Sequence, residues 1–143
     1  MLLRTFAILF VSFCMFSGLD STLPLVFSGE TSSDQVIVYY FYGTVRCGTC
    51  KKIEQYTKET VEANFSDNKN IVFKALNMEK KINSHFVKKY KLFTRAVVLS
   101  LVKDGKEVSH KSLKKIWQLV GNKKRFEAYE KQEIESYLKQ LEG

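Results

Sequence analysis

Cysteine is scarce in this chain. Its 143 residues hold three. Cys14 lies in an apolar leader, which leaves Cys47 and Cys50 for the folded part. A disulfide framework needs several pairs spread along the chain, so stapling is excluded, and one local CxxC points instead to redox or metal chemistry. Proline is rarer still, with Pro24 the single example. Glycine numbers seven against 45% apolar residues, which excludes collagen-like and disordered chains. Long blocks of one charge are also missing. The net charge is +8 and the pI about 9.4. Yet the lysines come in short pairs (Lys51-Lys52, Lys80-Lys81, Lys88-Lys89, Lys114-Lys115, Lys123-Lys124) mixed with glutamate. Solvated helix faces account for such a pattern better than a nucleic-acid interface does, and no nucleic-acid partner is expected. Only His85 and His110 are histidines, and neither has metal-ligand spacing to the cysteines; both read as exposed polar residues. The length suits one domain.

Residues 1–28 read as a signal peptide or an N-terminal membrane anchor. Arg4 precedes an apolar run from Phe6 to Phe16, the n-region and h-region pattern of an export signal. The run is shorter than the roughly 20 residues of a full span. Cleavage fits before Gly29 or near Ser17-Gly18, and Phe13 before Cys14 is too bulky for a lipid-anchor motif. Residues 29–35 (Gly-Glu-Thr-Ser-Ser-Asp-Gln) are small and polar and read as a linker. The expected location is outside the cytoplasm, periplasmic or in the cell envelope, as a secreted or membrane-anchored protein.

Residues 36–143 carry the domain. Val36 to Tyr42 is an unbroken run of β-branched and aromatic residues, which predicts a strand buried on both faces. Its four aromatics, Tyr39 to Tyr42, alternate between the faces and belong to the core rather than to a base-stacking platform. From Cys50 on, Ile53, Tyr56, Thr60, Val61 and Phe65 fall at helical spacing. Ile71 to Asn77 alternates as a second strand, and Ile82, Phe86 and Tyr90 mark a second amphipathic helix over Lys81–Lys91. Ala96 to Val102 is an apolar strand, Asp104-Gly105 a hairpin signal, and Glu107–Lys111 the returning strand. Leu113–Val120 predicts a short helical turn in which Trp117 packs. Asn122 can cap a last helix with Phe126, Tyr129, Ile134, Tyr137, Leu138 and Leu141 inward. The order β-α-β-α-β-β-α predicts an α/β three-layer sandwich.

The setting of the cysteines gives them meaning. Cys47 follows a buried strand by a short loop, and Cys50 falls in the first turn of a helix. Free N–H groups and the positive dipole end there stabilise a thiolate. Arg46, Lys51 and Lys52 add positive charge, and each effect moves the Cys47 thiol below its free value of about 8.5. Cys47 is thus the expected exposed attacking thiolate, and Cys50 the buried resolving thiol, in exchange through a mixed disulfide.

The strand, the Cys47-Gly48-Thr49-Cys50 run at a helix start, the second βα unit and the Asp-Gly hairpin together resemble the thioredoxin superfamily over Val36 to Leu141. The runs Val45–Cys50, Lys115–Val120 and Phe126–Tyr129 also resemble a small bacterial subgroup, the nitrophins. The superfamily resemblance implies a thiol–disulfide oxidoreductase with a redox-active Cys47–Cys50 disulfide and no other cofactor. Its partners would be protein thiols or disulfides, including an electron-donor protein. The departures matter as well. Arg46 stands where the family usually has tryptophan. Residues 35–46 hold no acid, and Phe41 falls near the place of the family's buried one. The family's cis-proline facing the cysteines is replaced by Ala96 or Val97, with a trans peptide expected, since cis costs about 2.5–4 kcal/mol without proline. Gly48-Thr49 does not set the direction of electron flow. The missing proline and acid also leave open a different class of function, capture of a soft metal or metalloid by the Cys47 and Cys50 thiolates. A non-catalytic interaction domain is the third reading.

Overall fold

A computed structural model describes residues 34–143. The leader, Cys14, Pro24 and all but the last two residues of the linker lie outside the described residues. Four strands form one sheet: β1 (Gln35–Tyr42), β2 (Ile71–Asn77), β3 (Ala96–Lys103) and β4 (Lys106–Ser112). The spatial order is β2-β1-β3-β4. β1 runs parallel to β2 and antiparallel to β3, and β3 antiparallel to β4. The helices are α1 (Gly48–Phe65), α2 (Ser84–Tyr90), the short α3 (Ile116–Leu119) and α4 (Lys123–Glu142), with a 3-10 turn at Lys81–Asn83. Apart from that turn the order is the expected one, with α3 falling inside the helical turn expected over Leu113–Val120. No helix among the described residues is long and apolar enough to cross a membrane.

β1 is central, and its side chains divide by parity. Val36, Val38 and Tyr40 join Val97, Leu99 and Leu101 of β3 in a core shared with Ile53 and Phe65 of α1 and with Phe126, Ile134 and Tyr137 of α4. Ile37, Tyr39 and Phe41 face the other way, into a smaller core with Val98, Val102 and Tyr90 at the end of α2. The aromatic run of β1 is therefore core on both faces. Three layers result, with α1 and α4 on one side of the sheet and α2 on the other.

The hairpin turns at Asp104 (φ 51°) and Gly105 (φ 71°), between the paired Lys103 and Lys106. Two positive φ values in a two-residue loop make the mirror-image turn that matches strand twist. β4 then carries a bulge: Leu101 pairs with Ser109 but Val102 with Glu107, leaving Val108 unopposed. The extra residue reverses the side-chain alternation. Glu107 reaches Ser100 and Tyr90 on the α2 side, while Ser109 meets Tyr137 of α4 on the other.

The last helix departs from expectation at one position. Glu130 is fully buried, alongside Phe126, Ile134 and Tyr137, whereas Tyr129, Leu138 and Leu141 only flank the core. Neither carboxyl oxygen of Glu130 has a hydrogen-bond partner, and nor does the Thr57 hydroxyl. Burial, only partly offset by the neighbouring Thr57 and Thr60 hydroxyls, pushes its carboxyl up to about 8. Glu130 is thus held as a neutral acid at the interface of α1 and α4.

Candidate functional site

β1 ends at Tyr42, and the chain crosses Gly43–Arg46 before Cys47 caps α1. Side chains from distant segments hold this loop. Glu79, just past β2, accepts from the Thr44 backbone N–H at 3.0 Å, and the Asn77 amide donates to the Thr44 hydroxyl at 3.1 Å. Arg95, ahead of β3, donates to the Val45 carbonyl at 2.7 Å. A Cβ on Gly43 would lie 2.5 Å from Glu79 Oε1 and 3.0 Å from Arg95 Nη2. Glycine at that point lets both side chains close on the loop. The hydrogen bonds from Thr44, with Arg95 nearby, lower the Glu79 carboxyl below its ordinary value.

Cys47 has extended backbone geometry (φ −80°, ψ 162°), and its sulfur accepts from the Cys50 N–H at 3.1 Å. It is exposed while Cys50 is 2% exposed, and the two are joined as a disulfide. Gly48 and Thr49 between them are exposed. The helix start breaks an ordinary rule: its first turn holds no acid, and Lys51 and Lys52 stand exposed there. Cations near a helix N-terminus oppose the dipole, yet the same field favours an anionic sulfur. Arg46 has partners of its own. Its guanidinium lies 4.0 Å over the Tyr42 ring and pairs with Glu54 on α1, so its charge beside Cys47 is partly balanced.

Tyr40 was legible only as core. In the structure its hydroxyl donates to the Cys50 carbonyl at 2.7 Å, buried. Burial, with Glu54 nearby, pushes the phenol up to about 12, so it remains a donor at all ordinary pH. Sequence reading also missed Glu79, Asn77 and Arg95, because they act across 33 to 50 residues. Phe41, at the place of the absent acid, is fully buried on the α2 face. Of the two residues considered for the proline position, Val97 is buried in the larger core. Ala96 is half-buried, pairs with Phe41 and opens onto the surface groove beside the loop. The described peptide bonds are all trans.

Both histidines are exposed. The His85 ring lies against Phe86, 4.0 Å between centroids, and His110 Nδ1 is 3.1 Å from Glu107. Among the described residues no three of His, Cys, Asp and Glu cluster as a metal site. Trp117 differs from expectation. It is 37% exposed and lines that groove, because α3 is a single turn that buries Ile116 and Leu119 instead.

No protein-family model matches the chain, and no curated protein matches it. Solved thioredoxins are similar to it in structure. Mitochondrial thioredoxin 3 from Saccharomyces cerevisiae, in its oxidised form, is 19% identical, over 66% of this chain and 82% of that one, with a TM-score of 0.41. Thioredoxin f2 of Chlamydomonas reinhardtii is 18% identical, over 67% and 83%, with a TM-score of 0.41. A thioredoxin from Trypanosoma brucei brucei is 26% identical, over 66% and 76%, with a TM-score of 0.40. None of these points to the nitrophin subgroup. The strand order β2-β1-β3-β4 and the cysteine pair at the start of α1 make the fold thioredoxin-like.

Proposed function

We propose that the chain is an extracytoplasmic thiol–disulfide oxidoreductase working through Cys47 and Cys50. One observation carries the reading: an exposed cysteine caps a helix and is bonded to a buried cysteine one turn in. In the reduced protein the Cys47 thiolate attacks one sulfur of a client disulfide and expels the other as a thiolate. The mixed disulfide is then resolved by Cys50, which attacks Cys47 Sγ and releases the second client sulfur. The client gains two electrons and two protons, and the Cys47–Cys50 disulfide reforms. A dithiol electron-donor protein closes the cycle; an oxidant role runs the same steps in reverse.

The roles follow from position. The α1 N–H groups and Lys51 stabilise the Cys47 thiolate. Tyr40 anchors the turn that carries Cys50, while Glu79 and Arg95 fix the approach loop. Residues 1–28 direct export, cleaved or kept as an anchor, and 29–35 tether the domain of 36–143. On this reading the protein works in the periplasm or cell envelope, where disulfide chemistry is permitted.

Cys50→Ser in the full chain, expressed in its own cell, should accumulate mixed disulfides through Cys47. Absence of any adduct on a non-reducing gel sinks the proposal. A redox titration against glutathione then sets direction: a potential near about −270 mV indicates a reductase, one near about −120 mV an oxidant.

A further inference from the structure

Between the loop that closes α2 and the loop that follows β4 lies an open groove of about 420 Å³. We infer that this groove docks the client polypeptide and selects segments in which an apolar side chain is flanked by carboxylates. The inference takes its client from the oxidoreductase reading above, but it stands on different atoms.

Position comes first. Arg95 borders the groove and bonds the carbonyl of Val45, two residues before Cys47. Ala96, also on the groove, pairs with Phe41 at the end of β1. A segment lying there has its disulfide beside the cysteine loop.

Apolar character comes second. Phe93 is 94% exposed, Trp117 is partly exposed and Leu113 is buried, and all three line the groove. Val45 on the cysteine loop is exposed as well. Single exposed apolar residues are ordinary. Phe93 and Trp117 line the same groove, and together they offer an apolar surface that a partner's side chain can cover.

Charge decides what kind of partner. Lys91, Arg95 and Lys114 rim the groove, and no carboxylate lines it. Neither Lys91 nor Lys114 is in an ion pair among the described residues, although eight ion-pair contacts occur elsewhere. Lys51 and Lys52 extend the positive field to the cysteines. Carboxylates on either side of an apolar anchor meet opposite charge along this rim, whereas a basic segment is repelled.

Trp117 is the single tryptophan of the chain, so emission from the full-length protein reports on this groove. The probes are cysteine-free peptides: phenylalanine flanked by aspartate and glutamate, the same peptide with lysines, and an acidic peptide with glycine for phenylalanine. The acidic phenylalanine peptide should shift the emission and bind about tenfold tighter than its lysine counterpart, a gap that shrinks with added salt. The glycine peptide should bind more weakly than the phenylalanine one. Lys91→Glu with Lys114→Glu should erase or invert the charge preference. Equal affinity for acidic and basic peptides overturns the inference. So does a change in emission with protein concentration alone, which would place a second copy in the groove. Exchange of the reduced native protein, as the Cys47–Cys50 dithiol, with the uncharged bis-hydroxyethyl disulfide tests the chemistry separately. Exchange without charge preference defeats the docking inference alone. Charge preference without exchange defeats the oxidoreductase reading and leaves a groove for acidic segments.

Discussion

Glu130 supports a quantitative prediction. The carboxyl is fully buried between α1 and α4, and neither oxygen has a partner. Burial raises it from an ordinary value of 4.5 to about 8. In the unfolded chain the group ionises at its ordinary value, so above pH 4.5 the unfolded state sheds a proton that the folded state keeps. Stability therefore falls as pH rises from about 4.5 to about 8 and levels off beyond. At ~1.36 kcal/mol per unit the full loss is about 5 kcal/mol, of which about 3 kcal/mol is already present at pH 7. Glu130→Gln removes the ionisation and with it the slope. The buried amide adds its own cost of about 1–3 kcal/mol if unpaired, but that cost is the same at every pH. The decisive quantity is the difference in unfolding free energy between variant and native protein, from urea melts followed by far-UV circular dichroism. It should move in the variant's favour by several kcal/mol between pH 4.5 and pH 8.5. Other titrating groups cancel in the difference. Parallel pH profiles for the two proteins would refute the reasoning, because they would mean that the carboxyl reaches water in the folded state.

Tyr40→Phe removes the buried hydrogen bond to the Cys50 carbonyl and should cost about 1 kcal/mol in urea unfolding. A loss within error would mean that the hydroxyl does not anchor the cysteine turn. Arg46→Ala removes a cation beside Cys47 and frees Glu54; both changes disfavour the thiolate, so thiolate absorbance should titrate at higher pH in the reduced protein. An unchanged titration removes Arg46 from the electrostatics of the site. Gly105→Ala forces a side chain onto a φ of 71° and should cost roughly 1 kcal/mol in thermal unfolding, with no change in the Cys47–Cys50 redox potential.

Much was determined by the sequence alone, through short-range rules. The seven-residue β-branched and aromatic run Val36–Tyr42 makes a central strand, since only a sheet covered on both faces can bury it. Asp104-Gly105 sets its own turn because both residues tolerate positive φ. Cys47 just ahead of a helical pattern, with Cys50 in its first turn, marks a thiol at a helix start, since that spacing is local. What only the tertiary structure decided depends on partners far along the chain. Glu130 sits in a helix rich in lysine and glutamate and reads as solvent-facing, until α1 covers it with Thr57 and Thr60. The bulge at Val108 leaves no mark in composition, yet it turns Glu107 towards Tyr90 and Ser100. Trp117 fits a packing role by its chemistry and stands in a groove because its helix is one turn long. Arg95 reaches the cysteine loop across 50 residues. Local propensity reaches a few residues in either direction, whereas burial, pairing and the field around a thiol are set by whichever segments the fold brings together.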